Sequence, residues 1–120
     1  MRVYKSPTCG CCGGWIDHLR ASGFRVTVED VANLDAHAAR LRVPDAVRSC
    51  HTGVAGGYFV EGHVPAADVL RLLRERPAAR GIAVPGMPLG SPGMEVGGRR
   101  ERYRTLLVAA NGTTSTWAQH

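Results

Sequence analysis

The chain has 120 residues and a mass of 12.8 kDa, enough for one domain with one modest core. It is 44% hydrophobic and 21% charged, the balance of an ordinary globular protein, and it has no apolar run long enough to cross a bilayer. The net charge of +5 comes from arginines scattered over expected helix faces, with one cluster at Arg99-Arg100, Arg102 and Arg104. No interleaved aromatics offer stacking for bases, so nucleic acid is excluded and only a weak attraction to acidic partners or lipid surfaces remains.

In chain order, Arg2-Val3-Tyr4-Lys5 is short and β-prone, and Ser6-Pro7-Thr8 turns the chain into Cys9-Gly10-Cys11-Cys12. Trp15, Ile16 and Leu19 then recur at helical spacing until Gly23 stops the run. Phe24, Val26 and Val28 alternate with Arg25 and Thr27, which predicts a strand over 24–28. Asn33 is placed to cap a helix through Leu34, His37, Ala38 and Leu41 that Pro44 ends. A turn-rich stretch carries Cys50-His51, followed by short strands near 52–54 and 58–60. Pro65 opens a helix with Val69, Leu70, Leu72 and Leu73 inside, and Pro77 closes it.

Residues 81–98 are rich in glycine and proline and read as a loop holding Met87 and Met94. A hairpin over 103–109 and 113–117 should close the chain, joined at Asn111-Gly112, a strong two-residue turn signal. The order β-α-β-α-β-β-α predicts an α/β fold, a mixed sheet with helices on its faces, in a single domain over 1–120.

Four thiols carry the chemistry. A buried cysteine can act as a small hydrophobe, and that reading stays open for Cys50. It suits Cys9, Cys11 and Cys12 poorly, because they lie in a turn flanked by Pro7, Gly10, Gly13 and Gly14. A C-x-x-C at a strand-to-helix turn is the thioredoxin-like arrangement, in which the helix N-terminus stabilises a thiolate. Cys9 and Cys12 have that spacing and would be the catalytic pair if the protein is redox-active. Cys11 adds a third sulfur, which favours a soft cation over a plain dithiol switch. Thioredoxin topology usually carries a cis-proline before its third strand. Here Cys50-His51-Thr52 stands there, which turns a substrate-docking loop into a ligand loop.

Four separated motifs occur in order: Ser6-Pro7-Thr8-Cys9-Gly10-Cys11-Cys12, Ser49-Cys50-His51-Thr52, Glu61-Gly62-His63-Val64-Pro65, and Val84-Pro85-Gly86-Met87-Pro88 through Gly90-Ser91-Pro92-Gly93-Met94-Glu95. Together they resemble the CopG-like family of small thioredoxin-like, metal-binding domains linked to bacterial copper resistance, over nearly the whole chain. The resemblance implies Cu(I) binding, as single ions or as a small cluster, copper redox activity, and a periplasmic setting. The chain carries no secretory signal, so a cytoplasmic setting stays open as well.

The donor types agree. Thiolate and thioether select Cu(I), and imidazole accepts it. The expected ligands are Cys9, Cys11, Cys12, Cys50, His51, His63, Met87 and Met94, while His18, His37 and His120 read as surface residues outside the site. The expected function is a Cu(I)-binding protein of copper resistance or homeostasis, with copper ions and other copper-resistance proteins as partners. One alternative is a thiol or copper oxidoreductase using Cys9 and Cys12. Another is a structural zinc site of Cys9, Cys12, Cys50 and His51, against which the methionines argue.

Overall fold

In the computed structural model, which describes residues 1–120, the chain runs β1 (Arg2–Lys5), α1 (Gly10–Ala21), β2 (Thr27–Asp30) and α2 (Leu34–Arg40). A 3₁₀ turn (Asp45–Val47) leads to β3 (His51–Ala55), β4 (Tyr58–Gly62), α3 (Ala66–Glu75), β5 (Ala79–Val84), β6 (Arg104–Ala109) and β7 (Thr114–Gln119). All seven strands join one mixed sheet in the order β2-β1-β3-β4-β5-β6-β7. β1 is parallel to β2 and antiparallel to β3, and β4 runs antiparallel to β3. α3 then carries the chain across so that β5 returns parallel to β4, as a parallel pair requires. β6 and β7 extend the sheet antiparallel. The expected mixed α/β class, with its C-terminal hairpin, is the one observed.

Period-two alternation sends Val60 and Ile82 to one face and Phe59 and Ala83 to the other. On the first face, α1 and α3 pack through Trp15, Ile16, Leu19, Val69 and Leu72. On the second, Ala38 of α2, Val43 and Val47 cover Phe59, Ala83 and Val108. Fully burying side chains such as Leu19 and Leu72 contributes roughly 1.5–3 kcal/mol each.

Three expectations are corrected. Residues 81–98 are not all loop, because β5 takes the first part. Gly81 reads as a breaker, yet a Cβ there would lie 2.2 Å from the Phe59 carbonyl oxygen, so the glycine marks close approach of β4. β2 begins at Thr27, and Phe24 and Val26 pack on the core from the connection before it. The terminal hairpin has a three-residue loop, 110–112: Ala109 N–H donates to the Thr113 carbonyl, and only Gly112 has positive φ, at 88°.

Asn33 caps α2 as expected, its Oδ1 accepting from Ala36 N–H at 3.2 Å. Two histidines read as surface residues are structural instead. His18 Nε2 accepts from Ala66 N–H at 3.0 Å, satisfying an otherwise free donor of α3. His120 Nε2 lies 2.8 Å from the buried Asp68 carboxylate, and its ring stacks on Tyr103. His37 stacks on Tyr4.

Candidate metal centre

One end of the sheet gathers every segment that carries a soft donor. Lys5, the last residue of β1, pairs with His51, the first of β3; Thr52 pairs with Glu61 near the end of β4; Gly62 pairs with Val84 at the end of β5. The turn 6–9, the Cys50 loop, His63 and the Met87 loop therefore leave the sheet side by side. α1 starts immediately after Cys9 without a side-chain cap or an acidic residue in its first turn, so its positive end faces the sulfurs.

Cys9 and Cys12 are joined by a disulfide, and Cys11 and Cys50 are free thiols. Cys11 Sγ lies 3.8 Å from Cys9 Sγ, 3.9 Å from Cys50 Sγ and 3.5 Å from Met87 Sδ. Cys50 Sγ lies 3.5 Å from both His51 Nδ1 and His63 Nε2, and Cys12 Sγ is 3.2 Å from His51 Nδ1. Two overlapping donor groups result, Cys9-Cys11-Cys12-Cys50 and Cys50-His51-His63, each with all its ligand atoms within 4.8 Å of one another. Cys50 belongs to both.

The imidazoles are held with their lone pairs toward sulfur. A carbonyl only accepts, so His51 Nε2–H donates to the Gly62 oxygen at 2.6 Å and Nδ1 is left unprotonated beside Cys12 and Cys50. By the same reasoning His63 Nδ1–H donates to the Pro92 oxygen at 2.6 Å and Nε2 faces Cys50. Such outer hydrogen bonds fix tautomer and ring orientation in metal-binding histidines. Burial, reinforced by the neighbouring His63, pushes the His51 pKa down to about 3 against the opposing pull of the Gly62 carbonyl. Burial likewise lowers His63, and it raises Cys50 to about 11 against the Ser49 hydroxyl. Before any cation arrives, the Cys50 thiol and both imidazoles are neutral.

Sequence reasoning missed the residues that hold this arrangement. Trp15, read only as an apolar helix residue, stacks on His51 with ring centroids 4.0 Å apart and donates Nε1–H to the Val64 carbonyl at 2.8 Å. The buried Glu61 carboxylate accepts from Ser49 N–H and from the Thr52 hydroxyl, gripping the chain on both sides of Cys50-His51. Gly93 has φ +89°, and a Cβ there would lie within 3 Å of Trp15 N, the Cys11 oxygen and His63 Nδ1, so the loop can close over the site only with glycine. Glu61-Gly62-His63 was visible as a motif, but the carboxylate's target was not.

Seven of the eight expected ligands lie within 4 Å of another donor of the set. The eighth, Met94, is half-buried in the same loop, its N–H donating to the Ser91 carbonyl and its carbonyl accepting from Gly90 N–H. The loop is also less free than its composition implies, because Ser91 and Pro92 are buried.

Two solved structures, described as "Copper resistance protein copG- Form 2" and "Copper resistance protein copG- Form 1", each share 51% identity and a TM-score of 0.94 with this chain. They align over 99% of this chain and 95% and 94% of theirs. The chain belongs to the CopG family. A family described as "Protein of unknown function, DUF411" matches residues 47–94, the part of the family fold that includes Cys50, His51, His63, Met87 and Met94. No curated protein matches the chain. No helix is long and apolar enough to cross a membrane.

Proposed function

We propose that this protein binds Cu(I) for copper resistance or homeostasis, through Cys9, Cys11, Cys12, Cys50, His51, His63 and Met87 on a thioredoxin-like scaffold. The observation that carries the reading is the placement of Met87 Sδ beside Cys11, within a set of thiols and lone-pair-directed imidazoles that contains no carboxylate. Thioether favours Cu(I), and zinc sites rarely recruit it, so the donor chemistry fits copper better than a structural zinc site. Binding would displace a proton from Cys50, whose thiol is otherwise held neutral. Cys50, common to both donor groups, is placed to bridge ions, and met with reduced Cys9 and Cys12 the site offers thiolates for more than one. The family resemblance carried by the sequence motifs implies a periplasmic setting, and the copper-resistance names of the two solved structures favour other copper-resistance proteins as partners.

The Cys9–Cys12 disulfide supports a second reading, an oxidoreductase. Two Cu(II) ions each take one electron as the Cys9 and Cys12 thiols lose two electrons and two protons and form the bridge. The reduced protein would then bind, and the oxidised protein release or retain, the resulting Cu(I).

Protein reduced and loaded with copper under anaerobic conditions should give X-ray absorption dominated by Cu–S scattering. A shell of nitrogen and oxygen alone would overturn the copper–thiolate reading. Stoichiometric disulfide formation on adding Cu(II) to the reduced protein tests the second reading, and thiols that stay reduced reject it.

A further inference from the structure

We propose that the arginine-bearing loop beside Met87 is the docking surface for an acidic copper-carrier protein, which delivers Cu(I) at that edge of the site or collects it there. The proposal rests on the Cu(I) reading above.

Arg99, Arg100, Arg102 and Arg104 are all exposed, and none belongs to an ion pair. The acidic residues among them are otherwise engaged. Glu95 accepts from Gly93 N–H, and Glu101 accepts from Leu89 N–H. The loop is also preformed: residues 96–99 make a tight turn with φ 54° and 74° at Gly97 and Gly98, closed by Arg99 N–H to the Val96 carbonyl at 2.9 Å.

This loop is tied to the metal centre. Glu101 N–H donates to the Leu89 carbonyl while the Glu101 side chain receives the Leu89 N–H, and the Arg100 side chain lies over Gly90. Leu89 is two residues from Met87, whose sulfur touches Cys11. Of the three large hydrophobic side chains exposed on the molecule, Met87 (38%) and Val96 (52%) lie on this edge. Two clefts of about 360 and 310 Å³ open among the arginines, one lined by Gly90, Val96, Arg99 and Arg100 with Glu95, the other by Pro85, Pro88, Arg102 and Arg104 with Glu101, so cations outnumber acids in each.

Exposed Met and Arg around a small apolar centre is the composition of a protein interface. The only aromatic ring in the loop, Tyr103, is already stacked on His120, so bases find no platform. Two separate apolar residues are too few to anchor the loop in lipid. Unpaired cations at the mouth of the site steer an acidic partner's approach, and Met87 lies where the two surfaces would meet.

The test measures the rate of Cu(I) transfer to the reduced protein from a glutamate-rich methionine peptide and from a lysine-rich twin. Transfer from the acidic peptide should be at least about tenfold faster at low salt, and the advantage should shrink as salt is added. The Arg99→Ser, Arg100→Ser, Arg102→Ser protein should lose that advantage while binding the same amount of copper at equilibrium. Equal rates from both peptides, or an advantage that survives in the variant, overturn the docking surface. Arginine-dependent binding to phosphatidylglycerol vesicles or to a DNA oligonucleotide in place of the acidic-peptide effect overturns it as well. Failure of the parent protein to take Cu(I) from either peptide or from free Cu(I) rejects the copper reading itself, a separately visible result.

Discussion

Cys11 Sγ and Met87 Sδ lie 3.5 Å apart although 76 positions of chain separate them. The sheet accounts for this: β1 and β5 run in the same direction and finish at the same end of the sheet, so the turn before α1 and the loop after Val84 leave it together. Met94, only seven positions further along the loop, has its backbone committed to Gly90 and Ser91.

The two methionines should therefore separate. Met87→Leu keeps volume and hydrophobicity, so thermal stability should stay within about 1 kcal/mol while Cu(I) affinity falls roughly tenfold. Met94→Leu should leave affinity within about twofold. Competition titration against a chromophoric Cu(I) chelator measures both, and equal losses in the two variants would remove Met87 from the site.

The air-oxidised, metal-free protein should carry the Cys9–Cys12 bridge, with Cys11 and Cys50 open to alkylation. Peptide mapping after alkylation checks this, and recovery of Cys9 joined mainly to Cys50 would contradict it. Reduction should then raise the copper stoichiometry, because two further thiolates become available to the Cys11–Cys50 pair.

His51 should make the metal-free protein acid-sensitive. Its pKa is pushed down to about 3 in the fold by burial, against an ordinary value of 6.5. Above pH 6.5 the histidine is neutral in folded and unfolded chains alike, and its full contribution to stability is present. As pH falls the unfolded chain takes up the proton first, so the His51 contribution to stability declines from about pH 6.5 toward pH 3, by on the order of 5 kcal/mol over that range. Burial raises Glu61 to about 7, which adds stability as pH falls through the same range, so the His51 effect is read by difference. In urea denaturation from pH 7 to pH 4 the parent should lose stability relative to His51→Gln, and parallel pH curves would contradict it. The His51 ring should meanwhile show an Nε2–H tautomer by nitrogen NMR.

Glu61 should matter more than its distance from the sulfurs suggests. Glu61→Ala removes the acceptor for the half-buried Ser49 N–H and the buried Thr52 hydroxyl; the Thr52 hydroxyl, left without a partner, costs about 1–3 kcal/mol, and the Ser49 N–H less. Because those residues flank Cys50-His51, copper affinity should fall as well. Thr52→Val provides the comparison: it loses one hydrogen bond but keeps Ser49 anchored, so its effect on affinity should be smaller. Equal copper affinity in Glu61→Ala and the parent protein would show that the loop holds its shape without the carboxylate.

The donor chemistry was legible without coordinates. Three closely spaced cysteines between glycines have no use as core, and thiol, imidazole and thioether in one short chain restrict the choice of metal. Local patterning likewise gave α1, α2, α3 and every strand but β5, with β2 read three residues early, because apolar spacing and the Asn33, Pro44, Pro65 and Pro77 boundaries act within a few residues. β5 escaped for a tertiary reason: Gly81 is favourable only because the Phe59 backbone crosses closely beside it. The same holds for the Asn111-Gly112 turn, whose three-residue form answers to the pairing of Ala109 with Thr113.

Which donors converge was decided by the fold alone. Composition ranks Met87 and Met94 equally, and only the exit of the loop from β5 separates them. His18, His51, His63 and His120 are the same residue chemically. The partners that tertiary packing places at each ring, Ala66 N–H, the Gly62 and Pro92 carbonyls and the Asp68 carboxylate, make two of them structural and turn the lone pairs of the other two toward sulfur. Residue type sets which bonds a side chain can make, and burial against distant chain decides which of them it does make.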